Sequence, residues 1–376
     1  MLSLTVVVTC LTGRISMRKI SCILVISLAL LGTLAHGKPF RLGPENQTNC
    51  SANSPAQAPA GFMWGITAYH IPLPDYELYP DDFVVMAQNG IRWIRVDYAW
   101  KRIEPVRGEP YDFSYFDMVT EEATRNGIQI IAQIGNGYNR DRAVSPEWTG
   151  DLRIGEYLDV LDGYSRAVVE RYHGTIKHWS LENQLNLDYY QAWISNSRAH
   201  PWSVISKMRI IHTLNNAVKQ IDQTAITVLS VLAVPGYQWF IKKMSLIADF
   251  DLVGLHYYPA VVTPVTEGFE NDVCDLVTKA KSASGGKPVI FLETGFKSDG
   301  GEGHTPETQQ LFLRNIAEYA LQAGAVGFFW YEYLDNPNEP QDRQRYSGLL
   351  EEDRSPKLGW FEYGSVIQQY GSEPHP

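Results

Sequence analysis

Pro288-Val289-Ile290-Phe291-Leu292-Glu293-Thr294-Gly295 is an apolar run closed by a carboxylate. Four consecutive apolar residues do not alternate, so they fit a strand buried on both faces, as parallel strands are. A carboxylate closing such a run is costly to bury without a purpose. Seven further runs share the form: Gly61–Thr67, Ile91–Asp97, Ile128–Gly135, Ile176–Glu182, Ile226–Val231, Leu252–His256 and Val326–Tyr331. Between them, Tyr164–Tyr172, Val204–Ile221 and Thr308–Ala323 carry apolar residues at three- and four-residue spacing, the helical period. Gly90, Gly127 and Gly324 each stand just before a strand, where a helix C-terminus needs a left-handed residue. Eight β/α units in about 300 residues predict an α/β fold, a single-domain (β/α)8 TIM barrel. The competing arrangement is an open doubly wound sheet. No glycine-rich phosphate loop follows the first run, which reads Gly65-Ile66-Thr67-Ala68-Tyr69-His70, and that weakens it.

Outside residues 61–376 the chain reads differently. Met17-Arg18-Lys19 precedes an apolar run from Ile20 to Leu34, ending in Ala35-His36-Gly37. A charged segment, a short apolar segment and small residues are the pattern of a secretory signal peptide, here residues 1–37 with Met17 as an alternative start. The apolar run of about 15 residues is short for a membrane span. Residues 38–60 are rich in Pro, Asn, Ser and Ala and read as a linker or surface arm. The expectation is a secreted, periplasmic or extracellular protein with no stable membrane span after cleavage. Cys50 and Cys274 then remain and can pair in an oxidising compartment. The Asn46 and Asn49 triplets are glycosylation sequons only where the source glycosylates. A formal net charge of −10 without long runs argues against a nucleic-acid partner. The sequence leaves the oligomeric state open.

In a barrel the active site lies at the C-terminal ends of the strands. Polar residues gather there: Arg95 and Asp97, Glu182-Asn183-Gln184, His256 and Tyr258, Glu293, and Trp330-Tyr331-Glu332. Each alone has a structural explanation: an ion pair, a satisfied core histidine, a packed tryptophan. Five strands ending this way make a site. His256 and His304 have no partner at metal-ligand spacing, so no metal is expected.

These residues resemble the large clan of retaining (β/α)8 glycoside hydrolases, which includes β-glucosidases, β-galactosidases, cellulases, mannanases and xylosidases. The matching positions are Arg95, Asn183, His256, Tyr258, Glu293 and Trp330, with Trp93–Trp100, Glu104-Pro105 and Tyr346–Leu350 adding to the likeness over roughly residues 61–370. The resemblance implies a carbohydrate substrate, no cofactor and a glycosyl-enzyme intermediate on Glu293. It implies that Arg95 holds Glu293 ionised and that Tyr258 orients it. Asn183 would bind the hydroxyl next to the anomeric carbon, and Trp330 would floor the sugar.

Gln184 departs from that pattern. In the clan a glutamate at this place is the acid/base; an amide has no titratable proton near neutral pH. General acid/base help is worth roughly 10²–10⁴ in rate, on the order of 3–5.5 kcal/mol of barrier. Three readings compete. The leaving group needs no proton, as in plant thioglucosidases of the clan, which resemble this chain in Asn-Gln-Leu. Or another carboxylate substitutes: Glu332, Asp188, Glu182 or Glu302. Or catalysis is lost and the groove only binds sugar. Tyr69, His70, Tyr138, Trp148, Tyr189, Tyr190 and Trp239 follow strands as candidate cleft residues.

Overall fold

A computed structural model describes residues 57–68, 77–135, 145–187, 203–259, 266–299, 301, 303–336 and 345–371. Residues 1–56 lie outside that set, and with them the leader, Cys50, both sequons and most of the arm. So do Tyr69, His70, Tyr138, Asp188, Tyr189, Tyr190 and Glu302.

Eight parallel strands close into a barrel in sequence order: β1 (Met63–Thr67), β2 (Trp93–Asp97), β3 (Gln129–Ile134), β4 (His178–Leu181), β5 (Ile226–Leu232), β6 (Leu252–His256), β7 (Val289–Thr294) and β8 (Gly327–Tyr331). β1 pairs with β8 to complete the circle. Among the described residues the surrounding α-helices are α1 (Pro80–Gln88), α2 (Trp100–Ile103), α3 (Ser114–Arg125), α4 (Ile154–Tyr172), α5 (Val204–Ile221), α6 (Tyr237–Met244), α7 (Glu270–Ala283), α8 (Pro306–Gln322) and α9 (Leu358–Tyr370). All eight expected strands are present, within about two residues at each end, the usual uncertainty of element boundaries. Gly90, Gly127 and Gly324 adopt φ of +84°, +66° and +72°, the left-handed geometry that ends a helix before the next strand.

Alternation along the strands makes two cores. Residues facing out pack under the helices in one large cluster. Residues facing the axis form a smaller plug of Met63, Trp93, Ile131, Val228, Leu252, Ile290, Leu292 and Phe329. That plug is entirely apolar and fills the lower barrel, leaving the polar inward residues at the C-terminal end. No helix among the described residues is long and apolar enough to cross a membrane. No group of His, Cys, Asp or Glu among them can hold a metal ion. Cys274, on α7, is disulfide-bonded.

Candidate active site

Glu293 reaches the site through a break in the strand period. Ile290 and Leu292 both belong to the axial plug, so strict alternation would turn Glu293 out toward the helices. The β6–β7 register instead runs Leu255↔Phe291 and then His256↔Glu293, one extra residue on β7. This bulge re-aims the carboxylate to the axis, beside His256. The Thr67 hydroxyl donates to the Leu292 carbonyl at 3.0 Å, securing the residue before it.

Donors from three other strands converge on that carboxylate. Arg95 Nη1 donates to Oε1 at 2.5 Å. The Tyr258 hydroxyl donates to Oε2 at 2.7 Å, and His256 Nδ1 lies 2.9 Å from the same oxygen. Gln184 Nε2 stands 3.4 Å from it. Burial pushes the Glu293 carboxyl up, but His256 and Arg95 outweigh it and hold the group below the usual carboxylate range. Burial pushes His256 down, against the pull of Glu293. The imidazole is therefore neutral near pH 7 and serves as a hydrogen-bond donor, while Arg95 supplies the permanent charge. Burial, then Glu293, raise Tyr258 well above the ordinary phenol value, so it too remains a neutral donor.

The neighbouring contacts fix orientations. A carboxylate has no proton to give, so His256 Nδ1 carries one, and Nε2 accepts from the Ser230 hydroxyl at 2.8 Å. Arg95 Nη2 donates to Gln133 Oε1 and to Asn183 Oδ1 at 3.1 Å. With its oxygen so engaged, Asn183 has its Nδ2 left to donate to a ligand.

β4 leaves the barrel abruptly. Glu182 and Gln184 take φ of 60° and 52°, left-handed values rare outside glycine. These two turns set Asn183 and Gln184 at the mouth. The buried Glu182 side chain packs on Gly135, where an added Cβ would come within 2.9 Å of the carboxyl carbon.

A family model described as beta-galactosidase matches residues 72–199. The 6-phospho-beta-glucosidase of Dickeya chrysanthemi is 27% identical over 122 residues, which is 31% of this chain and 25% of that protein. The 6-phospho-beta-glucosidase of Clostridium longisporum is 26% identical over 176 residues, or 42% of this chain and 36% of that one. The matched stretches thus span well under half of those relatives. Among solved structures, beta-glycosidase BGL167 superposes with a TM-score of 0.67 at 17% identity, over 85% of this chain and 99% of that one. The family 1 β-glucosidase from Thermotoga maritima gives 0.61 at 15% identity, over 85% and 100%. The chain is a glycoside hydrolase-like (β/α)8 barrel.

In this glycoside hydrolase-like barrel the structure brings together Arg95, Asn183, Gln184, His256, Tyr258 and Glu293. It does not bring Trp330 to them. In β8, Phe329 faces the axis, so Trp330 faces out. Its ring packs edge-on against Phe312 of α8, and its indole N–H donates to the Ser347 carbonyl at 2.9 Å. Tyr331, one residue on, faces the axis in register with Thr67 and meets the Tyr258 ring edge-on at 6.1 Å. Tyr331, not Trp330, is thus the β8 aromatic beside Tyr258. The Tyr331–Glu332 peptide bond is cis, and Glu332 is fully buried.

Gln133 and Ser230 were not singled out by motif. Both carry a readable signal, a polar residue on the inward face near the end of a mostly apolar strand. Gln184 is held ambivalently. Its Nε2 lies 2.7 Å from His256 Nδ1, which already carries a proton. Turned about, the amide would offer its oxygen to that proton but face the Glu293 carboxylate; the choice of orientation follows from partners alone. One good bond is available either way, so a ligand can replace it at little cost.

Proposed function

We propose that this barrel cleaves or transfers β-glycosyl groups by a retaining mechanism with Glu293 as the nucleophile. The observation that carries the reading is the cradle of Glu293: one permanent cation, two neutral donors and a bulge that turns the carboxylate inward. A structural carboxylate needs a counter-charge; a nucleophile needs to be ionised, aimed and reachable. Glu293 Oε1 accepts from Arg95 and Oε2 from Tyr258 and His256, beside the half-buried rim formed by Asn183, Gln184 and Tyr258. Attack at the anomeric carbon gives a glycosyl ester on Glu293; a second attack from the opposite face releases it with retention. Asn183 would donate to the adjacent sugar hydroxyl and Tyr331 would lie beneath the ring. The relatives' names support a β-glycoside substrate.

Export fits the leader pattern of residues 1–37, and the disulfide at Cys274 suits an oxidising compartment. A second reading is favoured by Gln184: a barrel that binds sugar without turnover. Aryl release across a panel of activated aryl β-glycosides, with Glu293→Gln as control, separates the two. Release that vanishes in the variant supports the nucleophile. Sugar binding that survives in both proteins, with release in neither, supports a binding protein.

A further inference from the structure

We propose that this barrel exchanges a glycosyl group between partners that need no proton transfer: an acidic phenol or carboxylic acid leaves, and an anion of the same class arrives. The inference rests on Glu293 as nucleophile and concerns what stands opposite it.

The β4 side chain that reaches toward Glu293 is an amide, 3.4 Å away. It neither gives nor takes a proton near neutral pH. The other inward polar groups do not replace it. Asp97, Glu182 and Glu332 are 3%, 0% and 0% exposed, and each already has a partner. Glu293 is as buried as Asp97, so exposure does not separate them; what distinguishes Gln184 is its contact with the Glu293 carboxylate. His256 is fully buried and bonded at both ring nitrogens. Tyr258 is held neutral by burial and by Glu293. Among the described residues the β4 side chain that meets the nucleophile therefore neither gives nor takes a proton near neutral pH.

The chemistry of both half-reactions then narrows. In the first, a Glu293 oxygen bonds to the anomeric carbon while the bond to the aglycone oxygen breaks, and that oxygen keeps the electron pair. Only a group stable as an anion leaves readily this way. In the second, the incoming anion's lone pair bonds to the same carbon, and the bond to Glu293 breaks with its electrons returned to the carboxylate. No proton moves in either step. Water is a poor acceptor, because nothing takes its proton. The amide has a positive part here as well. A glutamate at position 184 would repel an arriving anion a few ångströms away, whereas Gln184 Nε2 can donate to it. The low basicity of Glu293 makes it a good group to displace from the intermediate.

The test uses the full chain with a dinitrophenyl glycoside of whichever sugar is turned over. Release is followed without and with azide or acetate, and across pH. The expected result is acceleration of about tenfold or more by either anion, within the span that base assistance is worth. Glycosyl azide or glycosyl acetate of retained configuration is the product, and the rate stays flat on the basic side. Gln184→Glu is expected to lose the anion effect and gain a basic limb. Release with no anion effect, with free sugar as the main product and a basic limb in the unaltered protein, overturns the inference while leaving Glu293 as nucleophile. No release from any donor overturns both.

Discussion

The β7 and β4 ends of this site are built to different standards. At β7, Glu293 is held by Arg95, Tyr258 and His256, each fixed in turn by a further contact, and a bulge puts it where alternation would not. At β4, Gln184 takes a left-handed backbone with one long hydrogen bond and one mismatched contact. The first half is over-determined and the second is not. Net folding stability does not account for the buried cation–carboxylate pair, since such pairs contribute little to it. Under the proposed function, the difference puts the work on an ionised Glu293 and leaves the opposite partner to the ligand.

The largest expected effect is on the β7 side. Glu293→Gln should cut aryl release by at least ~10³-fold, because the covalent route is lost outright; steady-state release assays measure it. Loss of less than tenfold would remove the contrast between the two ends.

Arg95→Leu should come next. It leaves a buried carboxylate without its charge partner, a change that costs about 3–5 kcal/mol of folding stability, read by denaturant unfolding. It should also raise the acid limb of kcat/KM. In the native protein the folded pKa of Glu293 is depressed. Its contribution to stability is therefore complete above the unfolded value of about 4.3 and is lost as pH falls through the lower folded value. The variant should lose this dependence.

Much of this was legible in the sequence, and the misses have physical causes. Eight apolar runs gave the barrel because parallel strands cannot alternate when both faces are covered. Arg95 and His256 followed from the two-residue period at strand ends. The resemblance placed the floor one residue off: Trp330 stands on the outward face, and Tyr331 beside it meets the Tyr258 ring. The bulge at Glu293 is invisible in sequence because apolar residues fill both faces of β7, so no polar alternation marks the slip. Gln133 and Ser230 carry no motif, because their roles lie in contacts across the barrel, with the Arg95 guanidinium and the His256 ring.

Smaller effects sharpen the picture. Trp330→Phe should lower stability by about 1 kcal/mol through loss of the bond to Ser347, with KM for an aryl glycoside moving less than it does in Tyr331→Leu. The reverse order would return Trp330 to the sugar. Gln184→Gly should raise stability by up to ~1 kcal/mol by relieving the left-handed backbone, seen as a higher melting temperature. A lower one would mean that the amide contributes more than its contacts suggest.

The most direct measurement of the central claim is covalent trapping. The protein is incubated with an activated, fluorinated glycosyl donor whose intermediate turns over slowly, and the intact mass and peptide map are recorded. The account predicts one added glycosyl unit, carried on Glu293 and absent in Glu293→Gln. An unmodified chain under conditions where aryl release proceeds, or a label on another carboxylate, would contradict it.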